Sequence, residues 1–239
     1  MNDLGVYFLF LIPPLVIGLL VQYRLKRTVA EYMQVEVSTG MTGAEVARAI
    51  LDRNGLNDVP VERAPGGPLS DHYNPRNRSV FLSEPVHDGR AVASTAIGAH
   101  EVGHAIQHAE RYAFLGMRSA LVPAMSFASP LAVPIIIGGF LLSSFVGTGV
   151  GQLVTLAGLG LFAVVVLFQL VTLPVEFDAS RRALAAIQGG GLLHGREVDG
   201  AKDVLSAAAW TYVAAAVSAV LTLLYFLIRS GLLGGSRRE

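Results

Sequence analysis

Four apolar stretches, each long enough to cross a bilayer, dominate this chain of 239 residues. A spanning helix needs roughly 20 residues. The stretches run from Leu4 to Tyr23, within Leu121 to Val146, within Val150 to Leu173, and from Ala207 to Ile228. Only 15% of residues are charged, against about 25% in a soluble domain, so the apolar surface needs a bilayer to face. The prolines at 13, 14, 123, 130 and 134 lie in two of these stretches. Spanning helices tolerate proline when neighbours re-satisfy the backbone. The first stretch is read as an uncleaved anchor, because Arg24, Lys26 and Arg27 follow it, whereas a signal peptide carries its basic residues in front.

The expected organisation follows. Residues 1–23 form transmembrane helix 1, 24–118 a first polar segment, and 119–173 a hairpin of helices 2 and 3 turning at Gly147-Thr148-Gly149. Residues 174–206 form a second polar segment, and 207–239 contain helix 4 and a tail. Two crossings return the chain to its starting side, so both polar segments share a compartment. Arg24, Lys26, Arg27, Arg118, Arg181 and Arg182 outnumber Arg229, Arg237 and Arg238 opposite, and the positive-inside rule puts the polar segments in the cytoplasm. The acidic start Met1-Asn2-Asp3 fits the other side.

Net charge is zero, which gives no electrostatic case for nucleic acid. There is no cysteine, so a metal here must use His and carboxylate ligands. Within the first polar segment Thr42-Gly43-Ala44-Glu45 has capping-box spacing, predicting a helix that buries Val46, Ala49 and Ile50 and stops at Asn54-Gly55. Strands are predicted at Val59 to Arg63, Asp71 to Tyr73 and Ser79 to Leu82, and an alanine-rich helix from Asp88 to Arg111.

That last helix carries His100-Glu101-Val102-Gly103-His104. Residues i and i+4 share a helix face, so both imidazoles reach one ion. Glu101, about 100° around, can act on a water there without becoming a ligand, the zinc-peptidase arrangement. The ordinary reading is a polar edge on an amphipathic helix. Against it, the three polar residues interrupt a small apolar run, where uncompensated polar groups are costly.

Two histidines do not close a catalytic zinc site, which commonly has three protein ligands. His108 lies about 12 Å along the helix from His100, a strain for one tetrahedral ion, and otherwise reads as a polar helix end. Glu176 is better placed: Pro174 suits a first helical turn, so Glu176 would sit near a helix N-terminus that favours a carboxylate. Its ordinary reading is an N-terminal charge at a membrane edge. Asp178 is about 200° around from Glu176, so the two should not share an ion. His72, Tyr73 and His194 are candidates for an oxyanion or substrate contact, or else strand and loop surface. A scaffold or protease adaptor with a structural zinc remains the alternative to an enzyme.

Asp71-His72-Tyr73-Asn74-Pro75-Arg76, the run Ala99 to His108, and Leu173 to Arg181 together resemble the YugP-type neutral membrane zinc metallopeptidases of bacteria. The resemblance covers nearly the whole chain. It implies a multi-pass plasma-membrane metallopeptidase with one zinc per chain, held by His100, His104 and Glu176. That family is in turn similar to the membrane gluzincins related to the CAAX prenyl proteases and HtpX, whose third ligand lies in a Glu-x-x-x-Asp helix. Ser180 stands where that aspartate would be. The expected fold is a mainly α membrane protein, with four transmembrane helices and a small α+β zincin-like catalytic domain. The expected partners are the lipid bilayer and a peptide or membrane-protein substrate; homo-oligomerisation or association with another membrane protease stays open.

Overall fold

The computed structural model describes residues 3–146 and 148–233, with side chains described at residue 10 and from residue 12 on. Met1, Asn2, Gly147, Arg237 and Arg238 lie outside the described residues. The chain is mainly helical with one small sheet: α1 (Asp3–Tyr32), α2 (Gly43–Arg53), β1 (Val61–Arg63), β2 (His72–Asn74), β3 (Ser79–Leu82), α3 (Glu84–His87), α4 (Val92–Ala109), α5 (Ala113–Phe145), α6 (Thr148–Gly189) and α7 (Arg196–Arg229). Two compact units form, one from Met1–Leu20, Met117–Leu173 and Tyr212–Glu239, the other from Val21–Gly116 and Pro174–Thr211.

In the first unit α5 and α6 run antiparallel at backbone distance. A methyl group on Gly158 would lie 2.7 Å from Ile136 Cγ1, and one on Gly151 would lie 2.3 Å from the Ser143 nitrogen. Small residues permit this close approach, as in other membrane helix pairs. Ala132, Ile136, Leu159, Phe162, Val166 and Ala219 form the unit's core. Leu141 and Leu153 face outward, an apolar surface suited to lipid.

Among the described residues three helices, α5, α6 and α7, are long and apolar enough to cross a membrane, not the four expected. The first expected span is helical within α1, through Pro13 and Pro14. Residues 4–9 and 11 of that stretch have side chains outside the described ones, and the three helices are counted among the described residues.

The second unit is built on α4. Its face of Val92, Ala96, Ala99 and Val102 is buried with Val46, Ile50 and Leu51 of α2, Val80 and Leu82 of β3, and Ile187 of α6. The capping box predicted at Thr42 forms, and Asn54 caps the C-terminus of α2. The buried face of α2 includes Ala47 and Leu51 with Val46 and Ile50, while Ala49 packs only at its margin. The sheet order is β1-β3-β2, with β1 parallel and β2 antiparallel to β3. This leaves β2 as an edge strand.

Gly43 joins α2 to its neighbours with no room for a side chain: an added Cβ would lie 2.2 Å from the Val86 carbonyl oxygen and 2.9 Å from that of Ser94. Gly43→Ala is therefore expected to destabilise the second unit more than Thr42→Ala, which removes one cap hydrogen bond worth about 1 kcal/mol. Thermal unfolding of both variants in detergent checks the order.

Candidate metal centre

A close approach of α4 and α6 in the second unit sets the site. A Cβ on Gly103 of α4 would stand 2.5 Å from the carbonyl oxygen of Ala179 on α6. Glycine at that point lets the two backbones touch, and the polar residues flanking it then converge. His100 Nε2 lies 3.2 Å from Glu176 Oε2, and His104 Nε2 lies 3.6 Å from the same oxygen. The three donor atoms all fall within 4.8 Å of one another.

The donor set fits zinc. Tetrahedral donors at about 2.0–2.1 Å from an ion stand about 3.3 Å apart, close to the separations found. The carboxylate of Glu176 is only 2% exposed, where an isolated charge would be strongly disfavoured. Each imidazole has its other nitrogen engaged: His104 Nδ1 lies 3.0 Å from Gln107 Oε1, and His100 Nδ1 lies 3.2 Å from Ser180 Oγ. Such outer partners fix ring orientation in metal sites. Ser180 thus contacts the first histidine from α6.

Glu101, nearly buried, does not join the three donors. Its Oε2 accepts the Tyr73 backbone N–H at 2.9 Å, so edge strand β2 holds the carboxylate beside the centre. The Tyr73 hydroxyl lies 2.7 Å from His108 Nδ1, which gives His108 a partner outside the donor cluster. Asp178 turns to α4, accepting from Gln107 Nε2 at 2.9 Å, from Arg182 Nε at 2.6 Å and from Arg181. His72 stacks on Phe81, its Nδ1 donating to the Ser70 carbonyl at 2.8 Å. His194 lies exposed before α7, its backbone N–H donating to Glu197 at 2.9 Å. Neither His72 nor His194 is brought to the donor cluster.

One sequence expectation is corrected. Pro174 does not begin a helix; it lies inside the continuous helix α6. Glu176 is therefore far from a helix N-terminus, and the dipole argument for its charge does not apply. An interior proline loses one backbone bond without ending a helix that packing holds on both sides. Gln107 is the residue the sequence reading missed. A signal existed: it lies three residues after His104 and seven after His100, on the same face of α4.

Two outcomes follow from this geometry. Gly103→Ala forces α6 away from α4, so zinc affinity should fall roughly tenfold or more, the scale of losses when a ligand's support is disturbed; titration against a chelator measures it. In addition, His104 keeps its proton to higher pH than usual. Burial opposes the charged form, but the hydrogen bond and charge of Glu176, then the charge of Glu101, outweigh it. Zinc must displace that proton. Its affinity should therefore begin to fall at a pH above the ordinary histidine range of about 6.5 as the solution is acidified, and should be retained at higher pH.

A family model described as "Putative neutral zinc metallopeptidase" matches residues 7–231. The "Putative membrane protease YugP" of Bacillus subtilis (strain 168) is 47% identical over 222 residues, covering 92% of this chain and 95% of that protein. No solved structure matches. A match that runs from α1 past the end of α7 takes in both polar segments and every helix between them, and it places this chain in the neutral zinc metallopeptidase family.

Proposed function

We propose that this chain is a multi-pass zinc endopeptidase of the plasma membrane, with Glu101 as its general base. The observation that carries the reading is the division of labour among four polar side chains. His100, His104 and Glu176 converge, while Glu101 stands beside them on a backbone N–H. A closed structural zinc site needs four protein ligands. His108 and Asp178, the two further candidates, have partners of their own, which supports an open catalytic position over the adaptor reading.

His100, His104 and Glu176 would hold the zinc, which would supply Lewis acidity there. The chain's own residues do the rest. The Tyr73 N–H fixes one carboxylate oxygen of Glu101 and leaves the other to take a proton from the attacking water. Glu101 then delivers that proton to the leaving amine. Backbone groups beside Tyr73, whose own N–H is taken by Glu101, would receive an extended peptide and position the scissile bond. Of the three proposed oxyanion contacts, Tyr73 is favoured over His72 and His194, because its own backbone touches Glu101.

The substrate class is a peptide or a membrane protein with an extended segment. The cytoplasmic side is proposed from the basic residues around the second unit's segments. That parity depends on the α5–α6 pair alone, so it is indifferent to whether α1 also crosses.

The test uses the full-length protein in detergent with an unfolded peptide substrate. Glu101→Gln should keep one zinc per chain and lose cleavage by about 10²–10⁴-fold, the usual contribution of a general base. Glu176→Ala should lose stoichiometric zinc. Full peptidase activity in Glu101→Gln would refute the mechanism, and zinc retained in Glu176→Ala would remove that residue from the ligand set.

A further inference from the structure

We propose that Gln107 is the positioning residue of this centre: one amide selects which nitrogen of His104 faces the metal and pins the Glu176 helix to the histidine helix. The inference rests on the zinc-peptidase reading above.

Gln107 is fully buried. Its Nε2 lies 2.8 Å from the Val175 carbonyl oxygen and 2.9 Å from Asp178 Oδ2. A carbonyl and an ionised carboxylate only accept, so the amide nitrogen must face them and the group cannot be turned over. The amide oxygen is thereby directed at His104 Nδ1, 3.0 Å away. An amide oxygen also only accepts, so Nδ1 carries the hydrogen. In a neutral imidazole the lone pair is then on Nε2, the nitrogen that points at Glu176. A main-chain carbonyl on α6 thus dictates the tautomer of a ligand on α4.

The second effect comes from where the amide's acceptors lie. Val175 and Asp178 bracket Glu176, so both donor bonds of Gln107 fix the height of α6 against α4 at the ligand itself. Asp178 is held in turn by Arg182 Nε at 2.6 Å, and Arg182 Nη1 pairs with Glu110 at 2.7 Å. The chain of contacts begins on α4 and ends at Glu110, the residue that caps its C-terminus.

The experiment measures zinc affinity by chelator competition on the full-length protein, together with its melting temperature. Gln107→Met keeps the side chain's length and removes the amide; zinc should bind 10- to 100-fold more weakly. Gln107→Glu sets a carboxylate against Asp178 and the Val175 carbonyl and should lose at least as much. The zinc-loaded wild type is also read by imidazole 15N chemical shifts, which should show His104 with its hydrogen on Nδ1 and the metal on Nε2. A merely structural role would make affinity follow melting temperature. Gln107→Met binding zinc within threefold of wild type overturns the proposal, as does metal found on His104 Nδ1. If Gln107→Met does not fold, the 15N shifts of the wild type decide. Because the readout is affinity, a wild type that binds zinc but cleaves nothing refutes the peptidase reading while Gln107 is still judged; a wild type without zinc overturns both.

Discussion

A carboxylate withdrawn from water must find compensating charge or hydrogen bonds, and Glu176 is the buried carboxylate on which this structure turns. Two imidazole nitrogens supply that compensation from a neighbouring helix. They can do so only because Gly103 presents bare backbone to Ala179. The same contact that brings the helices together creates the convergence of donors a divalent ion requires. Packing and chemistry are here one arrangement, since a wider helix crossing would take both imidazoles away from Glu176.

The three donors are supported from three directions. Ser180 holds one histidine from α6, Gln107 holds the other from within α4, and Asp178 with its arginines braces Gln107. Each support is a polar group largely or wholly removed from solvent, and each has a partner. In a low-dielectric interior such a network is strong when complete and costly when one member is missing. The small three-stranded sheet adds what α4 and α6 lack, an edge strand whose main chain reaches Glu101.

Much of this was legible in the sequence, though not always for the right reason. The spacing of His100 and His104 sufficed for a shared helix face, because i and i+4 geometry is local. The capping box at Thr42 and the strand at Ser79 to Leu82 are local too, and both form as read. Glu176 is reached in the sequence by a helix start at Pro174, which the continuous α6 removes, and by the family resemblance, which does not depend on it. Its place in the site comes instead from the crossing with α4, which no window of sequence contains. Gln107 was overlooked because a lone amide in an apolar helix acquires its role only from Val175 and Asp178, some seventy residues further along. The first apolar stretch is helical within α1 as read, but it is not among the three candidate spans counted in the described residues.

The hold of β2 on Glu101 runs through a peptide N–H. Every amino acid but proline offers the same amide at position 73. The orientation of Glu101 is therefore indifferent to the side chain at that position, and the Tyr73 hydroxyl is left to its own contact with His108.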